Sequence, residues 1–196
     1  MIIAIWVYPG GSMYNEYAVG FDWKRNFISN LFGVRALNGA ENTSRIWAYA
    51  GMILFPVSYA MFFINMAKKI PDRNVAYIIK YMGIANILFT FFTVTPWHDL
   101  MLIISTSLFW TCLFIITVFI LKTKLHLFKF LCVVCLLFFY YTVYLWAISD
   151  WNLLPITQKI NFVTSTLLIL GLEYFTKQED FAHTKAKGRK ELMGNN

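Results

Sequence analysis

The stretch Leu100–Leu121, LMLIISTSLFWTCLFIITVFIL, runs for twenty-two residues without one Asp, Glu, Lys or Arg. About 20 apolar residues in a helix cross the roughly 30 Å hydrocarbon core of a bilayer, so the run predicts a transmembrane helix. Four further segments meet the same test: 46–66, 75–95, 127–148 and 156–175. The chain as a whole agrees. It is 59% hydrophobic and 14% charged over 196 residues, with a mean hydropathy of +0.57, against about 25% charged residues in a soluble domain. The expected fold is all-α: one polytopic transmembrane helical bundle, residues 1–175, with five full spans plus a partial first helix.

That first helix is the apolar stretch 1–8, closed by Pro9-Gly10-Gly11. At about 1.5 Å per residue it is too short to span, and it reads as the last turns of a truncated helix or as a shallow interfacial anchor. Residues 9–45 form a long loop, and 176–196 a polar, flexible tail.

The net charge of +7 comes from 17 basic and 10 acidic residues. No basic stripe with interleaved aromatics lies outside the apolar segments, which argues against nucleic-acid binding. The basic residues instead separate by side. Lys24, Arg25, Arg35, Arg45 and Lys159 fall on one side, and Lys68, Lys69, Arg73, Lys122, Lys124, Lys129, Lys177, Lys185, Lys187, Arg189 and Lys190 on the other. The positive-inside rule makes the richer side cytoplasmic, the tail included. The 9–45 loop, the Pro96-Trp97-His98-Asp99 turn and the 149–155 loop then share the outer face.

Polar and aromatic residues collect on that face. Asn42, Thr43 or Ser44 is suited to cap the following helix, because an Asn or Ser/Thr oxygen accepts orphan backbone N–H groups; Asn42-Thr43-Ser44 also fits a glycosylation sequon. Residues 27–32 have the spacing of a short amphipathic element lying on the surface. Trp6, Trp23, Trp47, Trp97, Trp146 and Trp151 lie near helix ends, as in an aromatic belt.

These landmarks carry a resemblance. Tyr8-Pro9-Gly10-Gly11, the Asn26–Gly33 segment NFISNLFG, the Thr95-Pro96-Trp97-His98-Asp99 turn and Gln158-Lys159-Ile160-Asn161 look like the bacterial and archaeal family catalogued as domain of unknown function 998. That family is in turn similar to the Frag/DRAM/Sfk group of multi-span proteins. The resemblance implies a six-helix bundle, placement in the bacterial cytoplasmic membrane, and Ser29, Asn30, Gly33 and His98 as characteristic residues. It implies no reaction.

Two functions follow as expectations. The first is lipid binding or sensing in an outward polar pocket formed by Trp23, Asn26, Ser29, Asn30, Trp97, His98, Asn161 and Ser165, with membrane lipids as partners and a homo-oligomer compatible with the pattern. The second is an enzyme acting on a lipid headgroup, with His98 as acid/base, oriented by Asp99, Asp22 or Asp150, and Ser29 as a nucleophile. A small-solute transporter ranks third, for want of broken-helix signals beyond Pro56. No cofactor and no metal is expected: His126 and His183 fall on the side opposite His98, and a catalytic zinc needs three protein ligands. Cys132 and Cys135 sit mid-helix among apolar residues, away from redox partners. Lys80 and Glu173 lie at matching depths and are expected either to pair as an intramembrane ion pair or to snorkel separately. The polar residues of the helices, Asn86, Thr90, Thr93, Ser105, Asn161, Thr164, Ser165 and Thr166 among them, are expected to bond between helices.

Overall fold

A computed structural model describes residues 1–185. These residues are 70% helical, and four of their helices are long and apolar enough to cross a membrane: α2 (Arg45–Lys69), α3 (Arg73–Phe92), α4 (His98–Ile120) and α5 (His126–Ala147). A fifth long helix, α6 (Leu154–Phe175), is less apolar, because Gln158, Lys159, Asn161 and Glu173 interrupt it. At the N-terminus α1 covers only Ile2–Trp6. Beyond α6 lie α7 (Gln178–Phe181) and a 3₁₀ helix, Ala182–Lys185.

The observed long helices match the expected spans to within two or three residues, and their ends have local causes. Asp72 opens α3, its Oδ1 accepting the Asn74 and Val75 N–H groups at 3.0 and 3.1 Å. Thr93 Oγ1 donates back to Thr90 O at 2.6 Å, and Pro96, which disfavours helix at the residue before it, holds the break before His98.

Two expectations need correction. The fold is not purely α, since β1 (Gly10–Ser12) and β2 (Asn15–Val19) pair antiparallel inside the long loop. Gly10 and Gly11 take φ of +143° and +84°, and a Cβ on Gly11 would stand 2.2 Å from Asn38 N. Only glycine tolerates both demands. The segment expected as a polar tail also begins with packed residues. Thr176 is buried, and Phe181 on α7 is wholly buried, which contributes about 1.5–3 kcal/mol relative to an exposed ring. The rest of the tail, 186–196, lies outside the described residues.

The chain forms two compact units, 1–55 with 137–164 and 56–136 with 165–196. In the first, Ala4, Tyr8, Leu31, Ala36 and Ala48 make a core on which Met1, Ile5, Phe21, Ile28 and Phe32 pack. Ala4 and Ile5 of α1, with Met1 and Tyr8 that flank the helix, belong to this core, whereas Ile2 and Trp6 are exposed. In the second, α3 packs closely on α2 and α4: a Cβ on Gly83 would lie 2.4 Å from Phe63 Cβ, and Cys112 Sγ lies 3.8 Å from Ile79 O. Only 17% of the α3 window and 22% of the α5 window are buried. Side chains such as Leu88, Phe130 and Leu137 are mostly exposed, as expected of apolar surface that faces lipid.

Candidate functional site

The first unit folds the long loop onto the start of α6. Asp22 begins the construction: its Oδ1 accepts the Lys24 and Arg25 N–H groups at 2.8 and 3.2 Å, and its carbonyl accepts Asn26 N–H at 2.8 Å. This turn presents the Asn26 carbonyl to Lys159, whose Nζ donates to it at 2.6 Å and to Pro155 O at 2.6 Å. The ammonium also lies 5.5 Å from the Phe21 ring centroid. Asn26, fully buried, donates through Nδ2 to Gly11 O at 2.9 Å, which ties the turn to the hairpin. Next along the loop, the 3₁₀ helix Ile28–Phe32 docks its first N–H on Gln158 Oε1 at 3.0 Å, and Phe27 meets Trp151 edge to face with ring centroids 6.4 Å apart. The expected surface element at 27–32 is therefore half sunk, with Leu31 wholly buried.

Asn42 closes the loop from the other end. Its Nδ2 lies 3.2, 3.2 and 2.9 Å from the carbonyls of Asn30, Leu31 and Gly33, and Ser44 Oγ donates to Leu31 O at 3.1 Å. Thr43 Oγ1 donates to Val7 O at 2.7 Å. The three residues expected as helix caps thus serve as clasps that hold the 3₁₀ helix and the end of α1 against the start of α2. The sequon nitrogen is occupied by these bonds.

Beside the Lys159 latch runs an open groove of about 480 Å³, lined by Trp23, Lys24, Ile156, Lys159, Ile160, Val163 and Thr164. Ile156, Ile160, Val163 and Thr164 recur at i, i+4, i+7 and i+8, one face of α6. The groove therefore has an apolar floor, an indole at its rim and a lysine beside it. Trp23 is 59% exposed, and Lys24 is also exposed.

Of the residues expected in the pocket, Trp23, Asn26, Ser29, Asn30 and Asn161 belong to the first unit, and Trp97, His98 and Ser165 to the second. Trp23 lines the groove. Asn26 is a buried strut. Ser29 sits half-buried within the 3₁₀ helix, and Asn30 Oδ1 accepts Phe27 N–H at 2.7 Å. Asn161 Nδ2 donates to Thr142 Oγ1 on α5 at 2.7 Å. The chain's three histidines all lie in the second unit, so neither Ser29 nor Asp22 has a histidine within its own unit. His98 opens α4, and its Nδ1 bonds Thr93 O. A carbonyl can only accept, so Nδ1 is the donor of this bond. Asp99 follows in the first turn of α4, a favourable place for a carboxylate near the helix dipole. Among the described residues, no three of His, Cys, Asp and Glu gather as metal ligands.

Of the two alternatives for Lys80 and Glu173, pairing or separate snorkelling, the pair is not seen among the described residues. Glu173 accepts from Asn65 Nδ2 at 2.8 Å, and Lys69 stands 4.0 Å from its Oε2. Lys80 instead rests 5.5 Å from the Tyr81 ring centroid. Depth in the bilayer sets the level of a side chain and not the direction it faces around its helix. Sequence reading gave Lys159 no partner, taking it as one of the basic residues of the poorer side and as part of the Gln158–Asn161 landmark, although a lysine one turn inside an apolar helix signals a buried partner. Ile156, Ile160 and Val163 carried no signal beyond helical spacing.

No family model, curated protein or solved structure matches this chain.

Proposed function

We propose that this chain is an integral membrane protein that binds a lipid in the groove between the Trp23–Lys24 rim and α6. In this reading α6 is a fifth span. Its 22 residues reach about 33 Å at 1.5 Å each, and most of its polar groups are answered within the protein, Lys159 by two carbonyls, Asn161 Nδ2 by Thr142, Thr166 by Tyr59 at 2.8 Å and Glu173 Oε1 by Asn65, while Asn161 Oδ1 and Glu173 Oε2 are buried without a hydrogen bond. Internal satisfaction of this kind lets a less apolar helix lie in hydrocarbon. The uneven distribution of lysine and arginine supports an outer groove and a cytoplasmic tail in this reading. The kinship with the domain of unknown function 998 family belongs to the same proposal and bears on fold alone.

One observation carries the ligand class. An apolar strip on α6 ends at an indole and a lysine, the order of chemistry met along a lipid from acyl chain to glycerol to anionic headgroup. Val163→Trp fills the floor of the groove. Native mass spectrometry of the purified protein should then show loss of a lipid retained by the unaltered chain, and equal retention would overturn the reading. The second reading, headgroup chemistry at His98, draws on the bond from Nδ1 to Thr93 O, which in a neutral ring leaves Nε2 as the base. Turnover abolished in a well-folded His98→Ala would favour it.

A further inference from the structure

A second groove, of about 210 Å³, lies between α2 and α3 and is lined by Ile64, Ala67, Lys68, Ala76, Tyr77 and Lys80. We propose that it is a binding site for the phosphate-bearing headgroup of an anionic phospholipid, in the leaflet at the α2–α3 loop, distinct from the outer groove. The spacing makes the site. Arg73, Ala76, Tyr77 and Lys80 recur at i, i+3, i+4 and i+7 on α3, and Ile64, Ala67 and Lys68 at i, i+3 and i+4 on α2, so each helix turns one face to the other. Where those faces meet, both helices carry alanine. The space left equals that of roughly seven water molecules, and it is bordered by two lysines and a tyrosine.

The cations are only lightly committed. Lys68 Nζ gives one proton to Asn65 Oδ1 at 3.2 Å. Lys80 has the Tyr81 ring, and Arg73 lies 5.4 Å from the Tyr77 ring centroid while Nε donates to Tyr77 Oη at 3.0 Å. The carboxylate nearest in sequence, Asp72, is spent on the Asn74 and Val75 N–H groups at the start of α3. No carboxylate lines the groove. Lys80 stands about 10 Å farther along α3 than Arg73, so a phosphate between Lys68 and Lys80 would lie at headgroup depth, with Ile64 beside the first acyl carbons and Tyr77 at the interface. Basic pockets between transmembrane helices on the positively charged side suit such headgroups.

The test uses the full chain in nanodiscs of phosphatidylcholine doped with phosphatidylglycerol of the same acyl chains, with lipid bound to the protein counted by native mass spectrometry. The unaltered protein should enrich phosphatidylglycerol. Each lysine near an anionic headgroup is worth about fivefold in affinity, so Lys68→Ala/Lys80→Ala should weaken it about 25-fold. Lys68→Arg/Lys80→Arg should keep it. Lys80→Gln serves if the double alanine variant does not fold, with a loss of about fivefold expected. Equal enrichment in a folded Lys80→Gln overturns the proposal. So does inorganic phosphate displacing phosphatidylglycerol at equal concentration, which would make the site one for a free anion.

Discussion

Lys159, in the second turn of α6, and Lys69, the last residue of α2, each spend their protons on backbone carbonyls in a setting with little water, and they do so to different ends. Lys69 Nζ reaches Leu172 O at 3.2 Å, Glu173 O at 2.8 Å and Thr176 Oγ1 at 3.4 Å. These carbonyls belong to the last turn of α6, where four C=O groups lack helical partners and the helix dipole favours a cation. Lys69 completes a helix that would exist without it. Lys159 joins its helix to a loop, because Asn26 O belongs to a turn that has no regular ladder of its own. A cation at a helix C-terminus answers groups that water could otherwise reach, whereas one inside a folded loop answers a carbonyl that the fold itself has buried. The same residue type is an accessory in one place and a keystone in the other.

That contrast orders the expected effects. Lys159→Met keeps the stem and deletes the donors, leaving two carbonyls without their partner; thermal unfolding in phosphatidylcholine nanodiscs should show a loss of about 3 kcal/mol, with the 9–45 loop opened to limited proteolysis. Lys69→Met should cost less, about 1.5 kcal/mol, and expose the chain after Phe175 to protease before the loop. A larger loss from Lys69 than from Lys159 would break the comparison. Thr142→Val removes the acceptor of Asn161 without touching either lysine, and should cost about 0.6 kcal/mol, the usual worth of an interhelical bond in a membrane. Lys24→Ala, at the rim of the outer groove, should change stability by less than about 0.5 kcal/mol while lowering lipid retention, which separates the lysine that faces the groove from the one that holds its wall.

The spans were legible because burial in lipid demands length and hydrophobicity, and both are counted directly from runs such as 100–121. Charge alone grouped the 9–45 loop with the 149–155 loop on one side and named no contact; the Phe27–Trp151, Ile28–Gln158 and Asn26–Lys159 contacts join that loop to the other and to the start of α6 within one unit. Direction around a helix was not legible. Lys80 and Glu173 share a depth, yet Glu173 has Asn65 and Lys69 of α2, and Lys80 borders a groove with Lys68. The roles of Asn42 and Phe181 were hidden for a related reason. A local pattern reads Asn42 as a cap and Phe181 as part of a polar tail, whereas each takes its role from segments packed against it. Of the candidate site, Trp23 was legible by position; its floor on α6 depended on where the loop comes to rest.

The Lys159 latch also sets a schedule. Asn26 and Lys159 are separated by 133 residues, so at roughly 5–20 residues per second the ribosome delivers the lysine on the order of ten seconds after the turn it must hold. Until then the loop has its hairpin and its Asn42 clasps but no anchor on α6. Completion of the 9–45 loop therefore waits for α6 to be made, and a nascent chain stalled before residue 159 should carry a loop that proteases still cut.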